Sequence, residues 1–269
     1  MKSTLKQWHH LLKASIKDAL FHRRNLLLEH SVLIHNKGHH MQDKTSLQSS
    51  DNLQSNKSKV RRGAKRANYD KAQIIDILDA SLMCHVAQTI NDQPFVTPTC
   101  HWRDGDYFYW HGLSSARNVK QAEATPVCIN IALLDGLVMA RSAMHHSVNY
   151  RSVTLFGTPE AVTDRTEKTR QLEIFVEKVS PRRWSQLRPM TEQELKATGI
   201  VRIPINEASA KVRAEPPIDD EQDYDWPVWA GVIPLLRQWG DVEMDPRQTE
   251  FLRKTQQDSF VAPIAPNAF

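Results

Sequence analysis

The sequence predicts a mainly β chain with helices, an α+β fold shaped as a small antiparallel barrel with helical decoration. Three observations lead there. Short apolar runs from Leu82 onward are punctuated by turn residues, with Arg103-Asp-Gly-Asp106 as the clearest hairpin signal. Helical periodicity is confined to a few short stretches. No Gly-x-Gly-x-x-Gly follows a strand-like run, so a Rossmann reading has no support.

Taken in order, Asp70 caps a helix over 71–80, with Ile74, Ile75, Ile77 and Leu78 as its apolar face. Residues 82–90 read as a strand, Asn91 to Pro94 as a turn, and 95–102 as a strand. A strand over 107–111 follows, then a short helix over 114–122. A strand over 127–134 ends at Asp135-Gly136, with further strand over 137–143 and 151–162. Asp164 caps a helix to about Lys178 that carries Leu172, Ile174 and Phe175. A loop at 181–188 leads to a short helix over 191–197, where Thr191 and Glu194 have capping-box spacing. Residues 199–212 contain the last strand. The tail from Ala214, rich in Pro, Asp and Trp, reads as a segment that wraps the domain or a partner.

Charge divides the chain. Through Arg66 there are 14 Lys and Arg against 4 Asp and Glu, which leaves 21 against 27 beyond it. The head is basic and the body acidic, which argues against a nucleic-acid surface on the folded domain. Residues 1–40 hold seven of the twelve histidines and place Leu5, Trp8, Leu11, Leu12, Ile16 and Leu20 at helical spacing among lysines. They read as a membrane-surface, partner or transit helix, or as an extension outside the fold with Met41 as the working start. Residues 41–60 have linker composition, and Lys57 to Arg66 adds a basic cluster. Cys84, Cys100 and Cys128 form no Cys-x-x-Cys pair and suit buried positions in a reducing compartment. No run reaches the ~20 apolar residues of a membrane span. A cytoplasmic location is expected, with a targeting segment open at the N-terminus.

Four clusters carry candidate chemistry. Ser115, Arg117 and Lys120 follow a strand and a Gly turn, and suit either a phosphate or an ordinary capped surface helix. Thr97, Pro98 and Thr99 mark an edge or bulge, because proline removes a ladder donor; unpaired backbone there suits a planar heterocycle or is simply an edge. His145, His146, Tyr150, Arg151 and Ser152 fall in a polar break between two strands, where a histidine could donate a proton, ligate haem or shape the rim. Adjacent strand residues point to opposite faces, so one histidine at most faces a pocket. Ser209, Lys211 and Arg213 share a strand face and add positive charge near a phosphate or form surface ion pairs.

These residues together resemble the FMN-binding split-barrel proteins related to pyridoxamine 5′-phosphate oxidase, in the flavin-nucleotide-binding branch that includes nitroimidazole-reductase-like proteins. The resemblance runs from about Val60 to Leu235. It rests on Tyr69-Asp70, Cys84-His-Val-Ala87, Pro94-Phe-Val-x-Pro-Thr99, His111-Gly112 with Ser115-x-Arg117, and Leu134-Asp-Gly-Leu-Val138. It continues through Ala140-Arg-Ser142, His145-His-Ser-x-Asn-Tyr-Arg-Ser152, Leu195-Lys-Ala-Thr198, Glu207-Ala-Ser-Ala-Lys211 and Pro227-Val-Trp-Ala-Gly231.

The resemblance implies a six-stranded split β-barrel over 57–213, between a 1–56 extension and linker and a 214–269 wrapping tail. It implies a homodimer with FMN at the subunit interface. Ser115, Arg117 and Lys120 would hold the phosphate, and Thr97, Pro98 and Thr99 would lie beside the ring. Tyr150, Arg151 and Ser152 would line the flavin, with His146 or His145 on the substrate side. The chain reads Ser-Ala-Arg where true pyridoxamine phosphate oxidases have Ser-Arg-Lys, and it lacks their C-terminal arginine pattern, which argues against pyridoxamine phosphate as substrate. The implied activity is an FMN-dependent oxidoreductase that takes electrons from NADH or NADPH to a small nitroaromatic- or quinone-like acceptor. A non-catalytic flavin carrier or sensor, and a haem-binding protein on the same barrel, are the alternatives.

Overall fold

The computed structural model describes residues 51–120, 125–255 and 261–266. The expectations for the basic, His-rich head and for the helix end at 121–122 lie outside them. The strands are β1 (Ala67–Asn68), β2 (Met83–Ile90), β3 (Gln93–Asp104), β4 (Tyr107–Leu113), β5 (Val127–Met139), β6 (Ser147–Gly157), β7 (Glu160–Ala161), β8 (Thr198–Pro204), β9 (Ala208–Arg213) and β10 (Gly231–Pro234). The helices are α1 (Lys71–Asp79), α2 (Arg117–Lys120), α3 (Arg165–Val179), α4 (Glu192–Ala197) and α5 (Pro246–Thr255).

The strands hydrogen-bond in the order β1-β9-β6-β5-β2-β3-β4-β8-β7, and the path does not close. Every pairing is antiparallel, as the hairpin spacing requires. Strand β3 makes the split. Its first half pairs with β2 and its second half with β4, so one strand belongs to both halves of the wall. This is the split-barrel architecture.

Alternation explains the core. On β2, β5, β6 and β9 one residue in two faces inward: Cys84, Val86, Ile129, Ile131, Leu133, Val153, Leu155, Ala208 and Ala210 are all buried. Helix α1 covers that face with Ile74, Ile77 and Leu78, and is capped by Asp70, which accepts the Gln73 N–H at 3.0 Å. Each such large aliphatic side chain contributes about 1.5–3 kcal/mol by leaving water. A second core forms where α3 lies over the other sheet half, with Trp102, Tyr109, Leu172, Leu195 and Ile200. There the Trp102 indole donates to Gln171 at 2.7 Å, which satisfies two buried polar groups at once. The Thr191–Glu194 capping box is present.

Several element boundaries differ from expectation. Asp135-Gly136 does not end a strand: β5 runs on to Met139 and absorbs the extra residue as a bulge. The polar break is 140–146, so Tyr150, Arg151 and Ser152 sit inside β6 rather than in the break. The predicted strand over 199–212 divides in two, β8 ending at Pro204. The expected 114–122 helix is a turn at 114–116 followed by the single turn α2. Residues 51–58, of linker composition, instead pack: Leu53 is buried in the core and its backbone joins Tyr69 and Ala208. The tail also adds to the sheet, since β10 pairs with β5 along the stretch that β2 leaves open. Among the described residues no helix is long and apolar enough to cross a membrane.

Candidate functional site

The predicted residues fall on three surfaces. The first is the mouth of the split. Beyond the His101–Trp110 pair, β3 follows β2 while β4 follows β8. Pro98 therefore lies where β3 has lost its second ladder, the one place where a missing N–H costs nothing. Thr97 and Thr99 are half-buried on the inward side of this edge, and Pro98 is exposed on the other. The Thr99 hydroxyl donates weakly to the His111 carbonyl across the opening, at 3.4 Å.

The turn carrying Ser115 and Lys120 hangs from the end of β4, beside that mouth. Ser114 N–H donates to Ala197 O at 2.7 Å and pins the turn to the end of α4. Gly112 and Gly199 face one another across β4 and β8. A Cβ on Gly199 would meet the Val119 side chain and sit 3.2 Å from Ser114 Cα, so glycine is what lets the turn close onto the sheet. Ser115 and Lys120 are exposed. From Leu113 to Lys120 the chain has two cations and no acid, a charge set that suits a phosphate.

The second surface is the outer face of the main sheet. Tyr150 and Ser152 point there, while Arg151 has the inward parity. Arg151 grips Asp135 with two hydrogen bonds, Nε at 3.0 Å and Nη2 at 2.9 Å, and this contact raises its pKa. The bulge at Asp135 puts that carboxylate within reach, so Arg151 is a brace and not a free cation. Three strand spacings and four residue steps separate Pro98 from Tyr150 on this face, roughly 14 Å across the sheet and about 13 Å along it. Within one chain the Thr97–Thr99 group and the Tyr150–Ser152 group are not brought together.

The third surface is the loop between β5 and β6. His145 ends a short 3-10 turn and faces Asp220 of the tail at 3.5 Å. His146 is exposed, and its Nδ1 lies 2.9 Å from the Ser142 carbonyl. A carbonyl only accepts, so Nδ1 carries the proton and the neutral ring keeps its lone pair on Nε2. The loop is anchored by Asp219, whose buried carboxylate accepts from Arg141 N–H at 2.9 Å and from the Arg141 guanidinium at 3.1 Å. Burial opposes its ionisation, but the contacts with Arg141 and Ser142 outweigh burial and hold its pKa below the usual value. Arg141 also stacks over Tyr224 at 4.9 Å. Arg141 Nε and Ser142 Oγ are buried without a hydrogen-bond partner.

Sequence reasoning missed Asp135, Asp219 and Tyr224. A carboxylate beside a glycine in a strand was a signal for the first; nothing local marks the other two, since their partners lie about 80 residues away in the chain. Other titratable groups are built into the cores. Burial pushes His101 down to about 3, and it stacks on Phe108 and bonds the Leu78 carbonyl at 2.9 Å. Burial also lowers His111 and lifts the Cys84 thiol to about 12, which makes Cys84 inert. The cysteines are free. A cleft of about 440 Å³ lined by Trp184, Leu187 and Met190 contains none of the predicted residues.

None of the curated proteins matches this chain. Among solved structures it is similar to the flavocytochrome Anf3 from Azotobacter vinelandii, with 44% identity and a TM-score of 0.71 over 74% of this chain and 92% of that one. It is also similar to an FAD and haem binding protein from Mycobacterium smegmatis, with 30% identity and a TM-score of 0.64 over 67% of this chain and 89% of the other. The family model for pyridoxamine 5′-phosphate oxidase matches residues 70–212, from the cap of α1 to the last barrel strand. Strands β2 to β8 and most of β9 lie inside that match, and the chain belongs to the pyridoxamine 5′-phosphate oxidase family.

Proposed function

We propose that this protein is a flavin-binding redox protein that works as a homodimer, with haem as a second group. The observation that carries the reading is the separation of Thr97, Pro98 and Thr99 from Tyr150 and Ser152. One planar ring cannot touch both groups in one chain, but it can when the mouth of one protomer meets the outer face of its partner. The outer face supports such an encounter. Ile233, Leu137 and Val148 stand opposite one another across β10, β5 and β6, and each is more than a third exposed. An apolar row crossing three strands on a sheet face is a contact surface.

The residues fit the flavin. Ser115, Arg117 and Lys120 would hold its phosphate, Thr97 to Thr99 would border the ring, and Tyr150 and Ser152 would close it from the other protomer, with Arg151 bracing β6 through Asp135. FMN needs no further site; FAD needs room for its second half, and the name of the Mycobacterium smegmatis neighbour supports that alternative. Bound flavin supplies one- or two-electron chemistry.

The residues fit haem as well. His146 presents Nε2 while its Nδ1–H is held by a carbonyl, the arrangement that fixes a ligating imidazole. The unpartnered Arg141 Nε and Ser142 Oγ beside it suit a carboxylate. The names of both similar structures, a flavocytochrome and an FAD and haem binding protein, favour this reading over a flavin enzyme alone. His145, engaged with Asp220, would position the loop. Electrons from NADH or NADPH would pass to a small acceptor, nitroaromatic- or quinone-like, and the free cysteines support a reducing, cytoplasmic setting.

The test is an absorption spectrum of the purified protein with heat-released ligands identified by mass. Flavin bands and, after haem addition, a Soret band are expected. Arg117→Ala should lose flavin and keep the Soret band; His146→Ala should do the reverse. A protein that takes up neither FMN nor FAD would refute the flavin reading, and a Soret band untouched in His146→Ala would remove His146 as ligand.

A further inference from the structure

Two charge runs of opposite sign lie on this chain. Ten residues, Lys57 to Arg66, hold six cations and no acid, and eleven, Glu215 to Asp225, hold six acids and no cation. Part of each run is used within the chain: Lys57 pairs with Glu207, Glu215 with Arg213, Asp219 with Arg141 and Asp220 with His145. Arg61, Arg62, Lys65, Glu221 and Asp225 are exposed and have no ion pair among the described residues. Trp226 and Trp229 follow the acids, 67% and 64% exposed. Both are held in place. Trp226 N–H donates to Asp223 O at 3.0 Å, and Val228 N–H to Trp226 O at 2.8 Å. A Cβ on Gly231 would stand 2.9 Å from the Trp229 ring, so glycine lets that indole lie against the backbone. Two ordered indoles facing water, beside carboxylates without ion pairs, make a surface that lacks its cover.

Strand pairing sets the two runs at the same end of the main sheet, on opposite edges. Asp219 and Tyr224 hold the tail on the loop between β5 and β6 through Arg141, and the tail then joins β5 as β10. On the other edge, Ala67 and Lys211 lie level with Ser152, and Asn68 and Ala210 level with Val153. The chain therefore enters β1 from the end at which β6 starts, the end that carries that loop. Lys211 stands opposite Ser152 on the outer face, and its ammonium donates to Arg62 O at 3.4 Å, which ties the basic loop to that face. With two outer faces together, a two-fold axis parallel to the strands keeps the end and exchanges the edges. The basic loop of each copy then meets the acidic tail of the other. The same operation brings the apolar rows of Ile233, Leu137 and Val148 together, so one interface holds all three surfaces.

We propose that the basic loop 59–66 of one protomer docks on the acidic, tryptophan-bearing tail segment 220–229 of a second copy of this chain. The proposal rests on the homodimer of the functional reading and names the segments that hold the two copies together. Arginine suits such a surface, because its guanidinium forks onto a carboxylate and also stacks on an indole. An exposed ion pair alone contributes little. Trp226 and Trp229, once covered by Arg61 and Arg62, add the aromatic–arginine contacts that carry most of the energy in protein interfaces.

The experiment is a charge exchange in the full chain, read by sedimentation velocity. One variant carries Arg61→Glu, Arg62→Glu and Lys65→Glu; the other carries Glu221→Lys and Asp225→Lys. Each alone sets like charges together twice per dimer and should weaken self-association at least about 10-fold, about 1.4 kcal/mol. An equimolar mixture pairs reversed loop with reversed tail at one contact and native loop with native tail at the other. It should recover association to within about threefold of wild type. Far-UV circular dichroism checks the fold of each variant. A second measurement needs no variant: isotope-labelled and unlabelled wild type are mixed and treated with a zero-length carbodiimide. Lys65 should join Glu221 or Asp225 in products of mixed isotope, and where a variant misfolds this cross-link decides. Variants that self-associate as wild type does, a mixture of folded variants that fails to recover, or cross-links confined to one isotope overturn the proposal. A monomeric wild type overturns the homodimer reading with it, whereas a dimer indifferent to these charges leaves that reading standing. Failure of the flavin reading shows separately, as a chain that takes up neither FMN nor FAD whatever its association.

Discussion

The two faces of the main sheet are made by the same strands, yet they follow different rules. Inward, β2, β5 and β6 present Cys84, Val86, Ile129, Ile131, Leu133, Val153 and Leu155, all sealed under α1. Outward, the alternate positions mix small or polar residues, Ala87, Cys128, Asn130, Ser152 and Thr154, all half-covered, with larger ones such as His85, Leu134, Tyr150 and Phe156. The inner face of β2 and β5 answers mainly to packing, while on β3 and β6 it also carries Thr97, Thr99 and Arg151. At one end of the outer face Ile233, Leu137 and Val148 form an apolar row, each more than a third exposed. Alternation thus separates a sealed face from a half-open one along β5 and β6.

The sharpest way to break this contrast is to truncate neighbouring residues on β6. Leu155→Ala should cost about 3–5 kcal/mol and lower the melting temperature strongly, because the site cannot collapse. Thr154→Ala, one residue away on the outer face, should stay within about 0.5 kcal/mol. Equal losses in denaturant titrations would show that both faces are core.

Acid should act on the buried side. His101 is pushed down to about 3 by burial, below the ordinary 6.5 it regains when unfolded. Between those values the unfolded chain binds the extra proton, so stability is full above about pH 6.5 and declines as pH falls toward 3. The slope is roughly 1.4 kcal/mol per pH unit from this one group. His101→Phe, which keeps a ring against Phe108, should flatten that part of the curve. An unchanged slope would mean that other groups govern acid unfolding.

The smallest effect belongs to the outer face. Leu137→Asp should leave the melting of the isolated protomer nearly unchanged while weakening self-association at least tenfold, about 1.4 kcal/mol, by sedimentation. If Leu137→Asp associates as wild type does, the row on β10, β5 and β6 is not the contact.

The same contrast governs what could be read from the chain. The caps at Asp70, Asp164 and Thr191, the hairpin at Gly105 and the inward alternation were legible, because local hydrogen bonds and burial impose them. Pro98 was legible as an edge for the same reason. The bulge at Asp135 was not, since Asp-Gly is also the signal for a strand end, and only the ladder with β6 distinguishes the two. In the candidate site the residues named from sequence sit on the mouth, the outer face and the histidine loop, but their grouping depends on strand order. Nothing in Arg151 announces that Asp135 occupies it, and nothing in Arg141 announces Asp219. Long-range pairing decided these roles.

The pairing of β1 with β9, and of Leu53 with Ala208, has a consequence for synthesis. A chain emerging from the ribosome makes Leu53 and β1 early but cannot use them until β9 arrives some 140 residues later. Until then the edge of β6 has no partner and its Val153 and Leu155 have no lid on that side. Birth of this protein therefore includes a long interval in which a sticky strand edge is open to other nascent chains, and its yield in a cell should depend on how well chaperones cover that interval.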